Sequence, residues 1–142
     1  MNIFLMPLAV TDKDFTRIVQ IHNQLSVKKY IKISDQYFDY ITNTEGVVYY
    51  KIIVDDLVVG GIHTETSNDV MFLSICVDEK YRCRKISTAA LTQLFDVLPS
   101  TVKKIEVSVD IENVPSNSLF QKLGFTQTSR ENELNTYCLL LH

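Results

Sequence analysis

The spacing of apolar and polar residues changes period several times along the chain. Residues 2–8, NIFLMPL, read as a first strand, with Pro7 at its edge or end. Phe15, Ile18, Val19, Ile21, His22 and Leu25 then recur at helical spacing, which predicts a helix capped by Thr11 or Asp12 and running to about Gln24. A second short helix is expected near 34–42, starting at Ser34, with Phe38 and Ile41 inward. Three β-branched runs follow, VVYYKIIV at 47–54, VVGGIHTET at 58–66 and VMFLSICV at 70–77. The short polar turns between them predict an antiparallel meander. The third run is apolar on both faces apart from Ser74, which places it centrally in a sheet.

The second half alternates helix and strand. Ile86, Ala90, Leu94 and Leu98 form one helical stripe over 86–98, ended by Pro99. In IEVSVDI at 105–111, Ile105, Val107, Val109 and Ile111 share one strand face. A helix from about Pro115 to Leu123 has Asn113 or Val114 at its cap, Gly124 where a C′ glycine belongs, and Phe125 placed to fold back on its end. Two last strands are expected at 125–129 and 135–141. The order β-α-α-β-β-β-α-β-α-β-β implies an α/β sandwich on a mixed sheet.

Composition narrows the class. A chain of 142 residues with 46% apolar and 22% charged side chains is ordinary for one soluble globular unit. The net charge of −3 argues against a dedicated nucleic-acid binder, and no apolar run approaches the ~20 residues of a membrane helix. The N-terminus lacks a basic leader region, and the three cysteines (Cys76, Cys83, Cys138) form no CxxC pair. A reduced, cytoplasmic protein is expected. His22, His63 and His142 make no metal-ligand spacing with the cysteines, so no metal site is expected.

The densest candidate chemistry is KYRCRKIST at 80–88, between the apolar third run and a helix start. Unpaired amides at a helix N-terminus favour an anion, Ser87 and Thr88 add hydroxyls, and Arg82 and Arg84 can fork onto phosphate oxygens. The same stretch also reads as a solvated basic turn.

Residues 110–125, DIENVPSNSLFQKLGF, resemble a motif of the GNAT superfamily of acyl-CoA-dependent N-acyltransferases. That motif has Asn at the end of the fifth strand, a small residue three positions on, an aromatic (usually Tyr) four after that, and then x-K-x-G-F. Here these are Asn113, Ser116, Phe120, Lys122, Gly124 and Phe125, without a gap. The basic loop then aligns with the family's V-x-P-x-Y-R-G-x-G-x-G as Val77, Glu79, Tyr81, Arg82, Cys83, Lys85 and Ser87. The spacing and the Tyr-Arg pair are kept, while the proline and all three glycines are replaced. The resemblance implies a GNAT-like α/β (α+β) fold over residues 1–142, with about seven strands in a mixed sheet and helices on both faces. Acetyl-CoA is then expected where the fourth and fifth strands splay apart.

By the same resemblance, Arg82, Cys83, Arg84, Lys85, Ile86, Ser87 and Thr88 hold the pyrophosphate, largely through main-chain amides. The strand amides of Ile75, Cys76 and Val77 serve the oxyanion, and Asn113, Ser116, Phe120 and Lys122 complete the CoA site. If Lys85 and Ser87 take right-handed conformations, their amides still face the ligand; if the family's glycines serve positive φ, strain or a reshaped loop follows. Phe120 stands where the family's tyrosine is proposed as general acid, and a phenyl ring has no proton to give. Such a loss is worth roughly 10²–10⁴ in rate unless Ser116, Ser118, Tyr81 or a water substitutes. For the general base, His63 and Glu65 share one strand face, pointing into an acceptor cleft or lying on a surface strand; Asp110 and Glu79 are further candidates. Tyr30, Tyr37 and Tyr40 fall in the helical region that walls the family's acceptor site.

The expected function is transfer of the acetyl group of acetyl-CoA to an amine of a small molecule or protein, by direct attack in a ternary complex. The alternative is a non-catalytic acyl-CoA-binding or interaction domain on the same fold. The expected partners are acetyl-CoA and an amine acceptor, with neither nucleic acid nor membrane; a homodimer is compatible with this.

Overall fold

The three β-branched runs form the antiparallel neighbours β2 (Val47–Val54), β3 (Leu57–Ser67) and β4 (Val70–Val77). This is a computed structural model, and it describes residues 2–82 and 85–141. Asp55 and Asp56 both take positive φ in the two-residue turn that joins β2 to β3, a conformation matched to strand twist. β1 (Ile3–Pro7) adds to the edge of β2, with Pro7 at its end. β5 (Lys104–Asp110) lies parallel to β4 and antiparallel to β7 (Leu134–Leu140), which pairs with β6 (Thr126–Glu131). Among the described residues the sheet order is β1-β2-β3-β4-β5-β7-β6, which places β4 at the centre as its apolar composition predicts.

Helices cover both faces. One carries α1 (Phe15–His22), α2 (Leu25–Lys28) and α3 (Tyr37–Asn43), packed through Ile18, Ile21, Val27 and Ile41 against Tyr49 and Cys76. The other carries α4 (Ile86–Asp96) and α5 (Val114–Lys122), packed through Ile86, Ala90, Leu91, Leu94 and Phe120 against Ile52, Val59, Ile62, Ile105 and Val107.

Some expectations shift. The first helix begins at Phe15, without a side-chain cap from its preceding residue Asp14. Asp12 instead accepts from the Ala9 and Asp14 amides and from Lys51 Nζ, so a distant lysine holds the turn ahead of the helix. The chain turns again at Gln24 into the separate one-turn helix α2, which the periodicity did not predict. α4 ends at Asp96 rather than at residue 98, in keeping with the bias against α conformation just before Pro99.

Candidate active site

The site begins where pairing between two strands stops. β4 and β5 are joined over Val70–Phe72 and Lys104–Glu106 only. Beyond that rung, β4 stays with β3 up to Val77 and β5 stays with β7 up to Asp110. The sheet therefore opens into a V whose apex is Phe72 and Glu106. Phe72 is 42% exposed although it lies on the central strand, and it lines a cleft with His63 and Glu65.

At the top of β4 the chain enters a 3-10 turn, Glu79–Tyr81, and then the basic loop. Asp78 is buried and accepts from the Lys80 amide at 3.0 Å and from Gln24 Nε2 at 3.1 Å, and it also pairs with Arg17. Burial works against its charge, yet these partners hold the carboxyl below the usual range. The Glu79 amide donates to Gln24 Oε1, and Ser26 donates to the Glu79 carboxylate. The start of the loop is thus tied to α1 and α2. Arg82 turns back to donate from Nε to the Val77 carbonyl at 3.2 Å. Cys83 and Arg84, expected at the pyrophosphate, lie outside the described residues.

Lys85 has φ 60° and ψ 20°, the left-handed conformation. It stands at a glycine position of the family motif and adopts the backbone that favours glycine; for a residue with a Cβ this costs about 1–2 kcal/mol. Ser87 lies inside the first turn of α4, where helical φ needs no glycine. The two replaced glycines therefore have different consequences. Lys85 gives no side-chain cap, and the first amide of α4 to bond within the helix is that of Ala89, to the Lys85 carbonyl at 3.1 Å. Among the described residues the amides of Ile86, Ser87 and Thr88 have no hydrogen-bond acceptor, as expected at a helix start. The first turn carries no acidic residue, so the dipole end there is unopposed.

α5 starts differently. Asn113 Oδ1 accepts from the Ser116 amide at 3.4 Å, and the Asn113 carbonyl accepts from the Asn117 side chain. At the far end Gly124 has φ 93°, its amide donates to the Gln121 carbonyl, and the Phe125 amide donates to the Phe120 carbonyl. This pair of bonds is the Schellman ending that the glycine predicts. The Phe120 and Phe125 rings meet at 5.2 Å, edge to face, with Phe120 buried. Phe120 is a core residue that seals the helix end. Ser116 is half-buried, and Lys122 is exposed in the last turn.

On the α1–α3 face two polar chains run beside the opening. In the first, His22 Nε2 meets the Tyr49 hydroxyl at 2.7 Å, and Tyr49 lies 3.8 Å from Cys76 Sγ. Gly61 makes room for this: a Cβ there would sit 2.0 Å from the Tyr49 oxygen. Burial drives the His22 imidazole down to about 4, with His63 adding to the effect, and pushes the Cys76 thiol up to about 11. These groups are therefore neutral at physiological pH and structural. In the second chain, Tyr37 Oη meets His63 Nδ1 at 2.7 Å, and His63 Nε2 meets Glu65 Oε1 at 2.9 Å. His63 and Glu65 line a cleft of about 180 Å³ with Phe72, Leu73 and Ser74, at the apex of the V.

The other candidates are spent on structure. Asp110 Oδ1 accepts from the Glu112 amide in the turn that ends β5. Glu79 is held by Ser26, and Tyr81 packs at the edge of the main core. Tyr30 donates to the Glu112 carbonyl at 3.4 Å, and the Tyr40 ring lies beside His63, with centroids 6.4 Å apart. A larger cavity of about 250 Å³, lined by Asn117, Gln121, Asn135 and Tyr137, opens on a different face of α5 from Asn113, Ser116 and Phe120. Its amides satisfy one another, with Tyr137 and Asn135 both donating to Asn117 Oδ1. Sequence reasoning missed the Tyr37–His63 link and the Arg17–Asp78 anchor, because each joins residues far apart in the chain and neither leaves a local signal.

Residues 15–125 match the model of the Acetyltransferase (GNAT) family, and the chain belongs to that family. The GNAT domain of S. lividans PAT superposes with a TM-score of 0.83 at 16% identity, covering 96% of this chain and 89% of that one. An acetyltransferase from Thermus thermophilus gives 0.83 at 16% identity, with coverage of 99% and 98%. Arabidopsis thaliana NAA60 in complex with acetyl-CoA gives 0.77 at 15% identity, with coverage of 99% and 98%. At these identities the likeness is one of fold. A comparison with curated protein sequences found no match. No group of His, Cys, Asp and Glu among the described residues is arranged to hold a metal ion, and no helix there is long and apolar enough to cross a membrane.

Proposed function

We propose that residues 1–142 form one acetyl-CoA-dependent N-acetyltransferase domain that passes the acetyl group directly to an amine in a ternary complex. The observation that carries this reading is the V between β4 and β5 with the start of α4, which takes no side-chain cap from Lys85, following β4 across the basic loop. The pyrophosphate fits the amides of Ile86, Ser87 and Thr88 at the start of α4, with Lys85 and Arg82 adding charge. The extended arm of the co-substrate then lies in the V, where β4 groups unpaired with β5 are open to it. The amides at Ile75–Val77 are the candidate donors to the tetrahedral oxyanion. With Phe120 sealed in the core, the sulfur leaves as thiolate or draws a proton from Ser116 or water; a free thiol has a pKa of about 8.5, so the thiolate is a tolerable leaving group. An acceptor enters from the opposite face, over Phe72 and under α3.

Calorimetry with acetyl-CoA tests the first half and thiol release with an amine panel the second. Binding followed by amine-dependent thiol release is expected. Absence of binding to any acyl-CoA at millimolar concentration sinks the reading. The competing reading is a non-catalytic acyl-CoA-binding domain, favoured by the sealed Phe120 and the left-handed Lys85. It expects binding without transfer to any amine.

A further inference from the structure

We propose that Glu65, on β3, is the group that takes the proton from the acceptor amine, and that His63 is a positioning residue acting through it. The inference rests on the acyl-transfer reading above. Histidine is the ordinary first choice for this task, but both nitrogens of this one are committed. Nδ1 lies 2.7 Å from the Tyr37 hydroxyl and Nε2 lies 2.9 Å from Glu65 Oε1. Beside a carboxylate, Nε2 carries the proton and donates it. Nδ1 then accepts from Tyr37 when the ring is neutral, or donates to the tyrosine oxygen when it is charged. In neither state does an imidazole lone pair face the cleft.

Glu65 has capacity to spare. A carboxylate offers about four acceptor sites, and His63 takes one. Its side chain remains 40% exposed, whereas that of His63 is 16% exposed. Position agrees with this. Glu65 is paired across the strands with Phe72, the last β4 residue joined to β5, and His63 with Ser74, one residue short of the candidate oxyanion strand. The carboxylate therefore stands at the apex of the V on the acceptor side. The ionisable groups facing it are His63 from β3, Tyr37 and Tyr40 from α3, and Glu106 from β5, which lies two strand spacings away, about 10 Å. β2 presents Val47 and β4 presents Phe72, both uncharged.

In the step, the acceptor ammonium gives one N–H proton to Glu65. The freed lone pair attacks the thioester carbon and forms the C–N bond. The C–S bond then breaks, and its electron pair leaves on sulfur. The amide nitrogen sheds its second proton to solvent or to the thiolate, and Glu65 returns its own to solvent.

The test uses the full chain with acetyl-CoA and two amine probes, putrescine and an N-α-blocked lysine. Glu65→Gln is expected to lower kcat about 10²–10⁴-fold and to abolish the acid limb of the pH profile, with acetyl-CoA affinity unchanged. His63→Leu is expected to cost up to about 100-fold while keeping that limb. His63→Gln, which retains an N–H for Glu65, is expected to restore most of the loss. Wild-type rates and pH profile in Glu65→Gln, or loss of the acid limb in His63→Gln, overturn the assignment while leaving the acetyltransferase reading intact. Failure to bind acetyl-CoA removes both. A readout independent of the acceptor is the imidazole nitrogen spectrum of His63. It is expected to show the proton on Nε2 at pH 8, and an unprotonated Nε2 overturns the proposal.

Discussion

The two faces of the sheet are held by different forces. Under α4 and α5 the buried cluster is made of Ile, Val, Leu, Ala and Phe side chains with Tyr137, and burial of apolar area stabilises it at about 25 cal/mol per Å². Under α1–α3 the buried set includes His22, Lys51 and Asp78. Lys51 reaches Asp12 at 2.9 Å and Asp14 at 2.8 Å, and burial opposes a charge that these two carboxylates hold in place. Apolar packing sets where a helix lies, and directional polar bonds also limit how it can slide. The tightly bonded face is the one beside the Phe72 cleft, where Tyr37 meets His63. The apolar face keeps its polar groups at its margins, in the Asn117–Asn135–Tyr137 cluster beside α5 and at the start of α4, where Lys85 gives no side-chain cap.

This contrast can be broken most strongly on the apolar side. Leu91→Ala, at a fully buried position of α4, is expected to cost about 2–5 kcal/mol in denaturant unfolding, equally at pH 7 and pH 5. A loss that differs between the two pH values contradicts the separation of the faces. On the polar side the expected signature is pH dependence. His22 is buried neutral with its pKa held at about 4, below the ordinary 6.5. The unfolded chain therefore binds more protons between those values. The stability that the neutral ring contributes is complete above pH 6.5 and is lost as pH falls towards 4, by about 3 kcal/mol. His22→Phe is expected to flatten that slope, and an unchanged slope shows that other groups carry it. The smallest effect sharpens the account of the helix start. Lys85→Gly is expected to raise stability by about 1 kcal/mol, or roughly 2–4 °C in Tm, by relieving the left-handed backbone. A Tm that falls instead shows that the lysine side chain contributes more than its conformation costs.

Much of this was legible beforehand. The meander of β2, β3 and β4 followed from β-branched runs and polar turns, and the Phe120–Gly124–Phe125 ending followed from a glycine after a helical stripe. Such features are local, because neighbouring residues carry the whole signal. The start of the first helix was misplaced because Asp12 answers to Lys51, 39 positions away. The end of β4–β5 pairing at Phe72 was unreadable because it depends on contacts between strand residues more than 30 positions apart in the chain.

The sequence alone determined the order of elements apart from the short α2, the central strand, the helix stop at Gly124 and the paired motifs that resemble the acyltransferase family. These depend on periodicity and on backbone preferences within a few residues. Only the tertiary structure decided that pairing ends at Phe72 and Glu106, that Lys85 takes a glycine conformation while Ser87 does not, and that His63 is occupied on both nitrogens. Each of these arises from contacts between segments distant in the chain, whose energies depend on packing geometry and leave no periodic mark on the residues that make them.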